Sequence, residues 1–508
     1  MKVSSTTHLI ALSLLLSGCA VGPDYHPPES RVTTGNWRDL PSGQPSRPQA
    51  AQTQANWWRS FQDPQLDRLI ARAISDNLNL QQTVLRIAGA REQLNQARGG
   101  FLPSVNGKLG YTYQQLGLKG QLESQGVSAR ANDIDPALSE ALNGLTKPIN
   151  LYQGSFDAAW ELDLWGKVRR QVEMAQAQTQ ASLEQRNDAL VSLEAEVARA
   201  YLQLRGAQAI MATLQQQIGI AQQTVALTTS QQQNGLAPQM DVENARAQQS
   251  ALQAQLPPYE AQARQAMNGL AVLLGQPPGA LDSELRATKA LPNLPDAVAV
   301  GVPSTLARRR PDIRQAEAQL HAATANIGVS VAQLFPSLSL TGQFGLRNTE
   351  ADSLTNWSSH FYSVGPSLSI PLFQGGRLVS SVKVARAEQA NAVLQYLQSV
   401  LSALQDVENA LVSYRTDQQQ LASLTQAVAS LQSAFDLANS SYHQGLSTFI
   451  DVLSVQRQLA ESQQQLARAK VQTSLDLVAL YKALGGGWEP YQQLDLPDYS
   501  VFGPAPTS

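Results

Sequence analysis

Side chains fit for catalysis are few and scattered in this chain. Its five histidines, His8, His26, His321, His360 and His443, show none of the spacings that gather metal ligands. No Ser/His/Asp arrangement can be assembled around them. The glycines at 485–487 lack the strand before and the helix after that a nucleotide-phosphate loop needs, and they read as a helix end, where glycine is preferred. No catalytic residue, metal site or cofactor is expected. Two carboxylates do stand in a pattern, Asp241 and Asp451. "QQQNGLAPQMDV" (231–242) and "YHQGLSTFIDVL" (442–453) superpose Gly235 on Gly445, Leu236 on Leu446, Asp241 on Asp451 and Val242 on Val452, at an offset of 210 positions. Each aspartate stands just before an apolar-periodic run, where a helix N-cap belongs.

The one cysteine, Cys19, is placed for acylation. "MKVSSTTHLIALSLLLSGC" carries an early lysine, an apolar run from Leu9 to Leu16, and small residues before the cysteine. The run is too short to span a membrane, so 1–18 is expected to be a cleaved signal peptide. "LSGC" (16–19) resembles the bacterial lipobox, which implies that Cys19 becomes the acylated first residue of the mature chain, its lipid the only covalent group. Ala20 follows, where an aspartate would signal inner-membrane retention, so the outer membrane is expected. One acyl chain anchors only weakly, and further structure must hold the protein in place.

Composition restricts the remaining classes. A net charge of −3, with 15% charged residues, leaves no basic footprint for nucleic acid. The middle of the chain is rich in Gln and Ala, which suits long helices. The 210-residue offset holds without a gap from Gly166 on Gly376 to Gly275 on Gly485, while "FLPS" (101–104) matches "LFPS" (334–337) at an offset of 233. One domain-sized unit is therefore duplicated, and the first copy carries an insertion within 115–148, expected as an extra exterior loop. The expected organisation is a lipidated linker at 19–56, a first repeat at 57–275, an inter-repeat equatorial segment at 276–303, a second repeat at 304–485 and a C-terminal equatorial tail at 486–508.

Each copy has a heptad seam. Leu190, Leu193, Val197, Ala200, Leu204 and Ala207 step by three and four, and the series continues to Val225. Its counterpart runs from Val400 to Phe435 with Asp417 as the only polar intruder. Such seams predict coiled-coil packing, and an uninterrupted helix from Lys167 to about Gln232 would extend roughly 100 Å. A second helix is expected from about Asp241 to Leu274, broken at Pro257-Pro258.

Between the helices the period changes to two. Strands are expected at about 102–113, 152–164, 336–347 and 361–373. In the second, Tyr152, Phe156, Trp160 and Leu162 share one face; Gln153, Ser155, Asp157 and Glu161 share the other. Alternation over about ten residues is the signature of a transmembrane β-barrel strand, apolar toward lipid and polar toward the lumen. Four strands cannot close a barrel, and an open sheet in lipid leaves unsatisfied edges. Several chains must contribute strands, in a number the sequence does not supply.

These features resemble the TolC and OprM family of outer-membrane efflux and secretion channels, more closely its lipidated OprM-like, NodT-type branch. "LSGCAVGPDYHPPE" (16–29), "WWRSFQDPQLDRLIARAISDNLNL" (57–80), "RRRPDIRQAEAQL" (308–320), "FPSLSLTGQFG" (335–345) and "GLSTFIDVL" (445–453) carry the likeness, in the family's order. It implies a mixed α and β membrane protein: a homotrimer sharing a transmembrane β-barrel, four strands per chain, and a long coiled-coil α-helical barrel across the periplasm. Pro103 and Pro336 fit its helix-to-strand junctions. It implies a duct without enzyme activity that passes drugs or other small toxic compounds from an inner-membrane pump (resistance-nodulation-division or major-facilitator type) and a periplasmic adaptor, or membrane fusion, protein to the exterior. The alternative is the duct of a type I protein secretion system. By position, Asp241 and Asp451 would ring a periplasmic gate, where three copies of each would attract cations. Tyr442 would belong to a latch between helices, Ile450 would form an apolar constriction, and Gly235 and Gly445 would turn the hairpins. Ser447 and Ser454 stand where relatives carry charge, so the latch is thinner here.

Overall fold

The computed structural model describes residues 20–28, 37, 55–115, 117–135, 137, 140, 141, 144, 146–295, 298, 300, 306 and 309–497. Cys19 and the leader before it lie outside them. The first copy contributes α1 (Pro64–Asp76), α2 (Leu78–Gly99), β1 (Ser104–Gln114), α3 (Leu118–Ser124), α4 (Val127–Ile134) and β2 (Ile149–Leu162). After these come α5 (Lys167–Gln233), α6 (Gln239–Ala254) and α7 (Leu256–Leu273). The second copy contributes α8 (Pro311–Ala332), β3 (Ser337–Asn348), β4 (His360–Ser369), α9 (Arg377–His443) and α10 (Phe449–Leu484). Two compact units form, and each draws on both repeats. One contains Glu92–Gln176 and His321–Ala390 with the segment up to Tyr25; the other contains His26–Arg91, Ala177–Leu320 and Asn391–Ser508.

The first unit is built on an antiparallel sheet with its strands in chain order, β1-β2-β3-β4. Its registers collect the apolar positions on one face. Gly107, Phe156, Phe344 and Tyr362 form one row across all four strands; Asn106, Asp157, Gln343 and Ser363 form the next, on the opposite face. Among the described residues nothing covers the apolar face, with Leu109 93% exposed and Val364 75% exposed. That exposure would be costly in water, and it matches a lipid-facing surface. Strands β1 and β4 are the edges. Gly345 is required where β2 and β3 meet, because a Cβ there would lie 2.4 Å from the Gly154 carbonyl oxygen.

Within the insertion, the expected loop contains two short helices, α3 and α4, with Gly126 at φ +64° between them. The positive φ lets the chain reverse without a Cβ clash, so helix–turn–helix replaces irregular loop over these described residues.

The second unit holds the helical core. Trp57, Trp58, Phe61, Leu66, Leu69 and Ile70 pack with Leu190, Val197 and Leu204 of α5, Val407 and Leu411 of α9, and Leu477 and Leu480 of α10. Asp63 caps α1 through the Gln65 amide at 2.8 Å and accepts the Tyr201 hydroxyl at 2.6 Å. Trp57 stacks on Tyr481 at 5.2 Å. The α9 seam is buried through Ala403, Val407 and Tyr414 but only half-buried at Leu421, Leu424 and Leu431. Helices α5 and α9 each have 67 residues and start 210 positions apart. The copies differ farther on. Pro257 and Pro258 cannot donate to the preceding turn, and α7 starts afresh at Leu256, whereas α10 runs unbroken for 36 residues.

Candidate functional site

The two Gly-Leu turns fold alike. Gly235 and Gly445 adopt φ of +71° and +74°, a conformation glycine reaches without strain. Leu236 N–H donates to the Gln231 carbonyl at 2.8 Å and Gly235 N–H to the Gln232 carbonyl at 3.0 Å. Leu446 donates to Ser441 at 2.9 Å and Gly445 to Tyr442 at 3.0 Å in the same way. This pair of bonds is the Schellman motif, which satisfies the last carbonyls of a helix. It ends α5 and α9 at equivalent residues and returns the chain as α6 and α10.

Neither aspartate is the N-cap that its position in the sequence suggests. Pro238 caps α6 and Thr448 caps α10, so Asp241 and Asp451 both stand three residues inside. That shift decides their environments. Thr448 donates its hydroxyl to Asp451 Oδ2 at 2.7 Å and its backbone N–H to the same oxygen at 3.0 Å, completing a capping box. These bonds hold the exposed Asp451 carboxyl below its ordinary range. Pro238 has neither donor. Asp241 is 8% exposed, and burial pushes its carboxyl above the ordinary range.

Tyr442 joins the two copies. Its hydroxyl donates to Gln231 Oε1 at the end of α5, and its ring lies 5.9 Å from Phe449. It packs on Ala245, Phe449 and Leu453 together with Val225. Burial and the nearby Asp241 push the Tyr442 phenol up. The structure thus brings Asp241 and Tyr442 together and leaves Asp451 in its own box. Ile450 is 54% exposed, as is its counterpart Met240 at 58%. Ser447 donates to the Ala438 carbonyl at 3.4 Å. Gln231 and Phe449 escaped the sequence reading because neither has a patterned signal; only their positions flanking the repeated turns could have pointed to them.

At the helix-to-strand junctions two indoles bond to the backbone. Pro103 precedes β1 and Pro336 precedes β3. Trp165 donates its indole N–H to the Pro336 carbonyl at 2.7 Å and stacks on Phe335 at 4.8 Å. Trp160 donates likewise to the Phe101 carbonyl at 2.9 Å. Residues just after Cys19 dock on the same unit. Val21 N–H donates to the Trp165 carbonyl at 3.0 Å, Asp24 pairs with Arg170 at 2.7 Å, and Tyr25 stacks on His321 at 4.2 Å. His321 in turn meets Glu173 at 2.9 Å. Among the described residues no cluster of His, Cys, Asp or Glu has metal-binding geometry.

A sheet with a bare apolar face, paired with duplicated helical hairpins, defines a channel of the outer membrane. The chain belongs to the outer membrane efflux protein family, whose sequence model matches residues 69–276 and 302–486. It is similar to outer membrane protein OprJ of Pseudomonas aeruginosa, 31% identical over 388 residues, 76% of each chain. It is 31% identical over 396 residues to the toluene efflux pump outer membrane protein TtgF of Pseudomonas putida, covering 77% of this chain and 78% of that one. The solved outer-membrane channel OprN superposes with a TM-score of 0.82 at 31% identity, over 93% of this chain and 100% of that one. The protein is an outer-membrane efflux channel of the TolC/OprM type in a Gram-negative bacterium, within a family of ducts rather than enzymes.

Proposed function

We propose that three copies of this chain form the exit duct of a tripartite efflux system, closed at rest by its duplicated hairpins. The observation that carries the trimer is the four-stranded sheet. Among the described residues nothing covers its apolar face or pairs with its β1 and β4 edges, and lipid does not tolerate open edges. Other copies satisfy those edges and cover the half-buried seam of α9. Three chains give twelve strands, an even number in the range of bacterial barrels. Cys19 carries the lipid, and the docking of Val21, Asp24 and Tyr25 holds that anchor in place.

At the periplasmic end, the exposed Asp451 surrounds the aperture in three copies, with Tyr442 tying α9 to α5 and Ile450 narrowing the passage. The buried Asp241 lies near that tie rather than in the ring first expected for it. The cargo is drugs or other small toxic compounds, supported by relatives named for toluene and antibiotic efflux. A periplasmic adaptor and an inner-membrane pump deliver it. Conductance in planar bilayers tests the reading. Low conductance is expected for the native protein and higher conductance for Tyr442→Phe combined with Asp241→Ala. Absence of any conductance, even when Asp451→Ala is added, would refute the duct.

A further inference from the structure

The duplication sets each residue of one helical hairpin beside a counterpart in the other, and at one place the copies differ by a matched pair. Ala207 and Ala266 of the first copy correspond to Asp417 and Asp476 of the second. Asp417 is the polar residue in the apolar seam of α9, one turn beyond the fully buried Tyr414. Asp476, on α10, is 8% exposed. Its Oδ1 accepts from Gln472 Nε2 at 2.8 Å, while its Oδ2 is sealed from solvent with no donor to serve it among the described residues. The side chain facing it is Asp417.

Two carboxyl groups this close ionise together only at a cost, and one shared proton converts their repulsion into a hydrogen bond. Charged groups of both signs surround them. A cavity of about 500 Å³ beside Asp476 is lined by Asp188 of α5, Arg310 and Asp312 at the start of α8, Asp406 of α9 and Lys482 of α10. Arg310 is engaged by Asp312 at 2.7 Å and Asp406 at 3.1 Å. Asp188 adds negative charge, and its own carboxyl is pushed up by burial and by Asp312. The phenols of Tyr414 and Tyr481 are pushed up by burial, so they stay neutral. Arg415 lies two residues before Asp417 on α9.

We infer that Asp417 and Asp476 hold one proton between them and form a proton-binding joint between α9 and α10, present in the second repeat and replaced by alanines in the first. Burial and Asp417 push the Asp476 carboxyl up to about 7. A carboxyl raised in the folded state binds its proton more tightly there than in the unfolded chain. Its stabilisation is complete at low pH and is lost as the pH rises from about 4 through about 7. Once Asp476 gives up its proton the α9–α10 hairpin loosens, whereas α5 and α7 carry no such group at these positions. The joint does not depend on the duct reading.

The full-length protein in detergent, with Asp476→Asn and the double variant Asp417→Ala/Asp476→Ala, tests the inference. Infrared spectroscopy of the native protein is expected to show a protonated carboxyl band that titrates near neutral pH and is missing from both variants. Amide exchange through residues 470–480, corrected for its intrinsic pH dependence, is expected to quicken about tenfold between pH 5 and pH 8, the factor carried by one pK unit of lost coupling. In Asp476→Asn, which mimics the protonated state, it is expected to stay level. A native protein without that band, or an exchange profile that persists in Asp476→Asn, overturns the joint.

Discussion

Asp241 and Asp451 occupy the same third position of duplicated helices, yet one is buried beside Tyr442 and the other sits exposed in a capping box with Thr448. The difference traces to one pair of counterparts, Pro238 and Thr448. A hydroxyl and an N–H stabilise one carboxylate, and the lack of both leaves its twin desolvated.

The two aspartates should therefore respond oppositely to pH. Asp451 has a lowered carboxyl, so its contribution is present above the ordinary aspartate range and is lost as pH falls through its folded value. Asp241 has a raised carboxyl, so its contribution is present at low pH and is lost as pH rises through its folded value. At pH 7 Asp451→Asn is expected to lower the melting temperature and Asp241→Asn to raise it. Both differences should shrink toward pH 3, as followed by circular dichroism.

Tyr442→Phe removes the hydroxyl bond to Gln231 but keeps the ring against Phe449. About 1 kcal/mol of cohesion between the hairpins is expected to be lost. Urea denaturation measures it, and Tyr442→Ala should cost more because the packing goes as well.

Gly345→Ala forces a Cβ against the Gly154 carbonyl and Ser155, where neither backbone can yield. A loss of about 1–3 kcal/mol is expected, read as a lower temperature for the loss of assembled protein on semi-denaturing gels. Gly110→Ala, with open space around its Cβ, serves as the control and should be nearly neutral.

Arg170→Ala removes the ion pair to Asp24 and one partner of Glu173. Charge-assisted bonds of this kind contribute about 1.5–3 kcal/mol. Limited proteolysis within residues 20–28 is expected to accelerate at least about tenfold, with mass spectrometry locating the cuts.

Much of this molecule was legible in the chain because its signals are local and repeated. Alternation at Tyr152, Phe156 and Trp160 places these residues on one face whatever lies beside them, since side chains of a strand point alternately up and down. Gly235 and Gly445 announce helix ends because the turn itself needs a positive φ. The 210-residue offset declares two equivalent hairpins, and the apolar faces of four strands declare lipid. The helices inside the insertion were not visible, for they are short and their residues lack a seam.

What the sequence determined by itself was the elements, their duplication and the membrane-facing surface, all properties of neighbours along the chain. Tertiary structure alone decided that Asp241 lies near Tyr442, that Trp165 reaches the Pro336 carbonyl, and that Asp417 and Asp476 face one another across two helices. A carboxyl's charge state follows from which donors surround it and how much water remains. Those partners come from distant parts of the chain, so only folding could assign them.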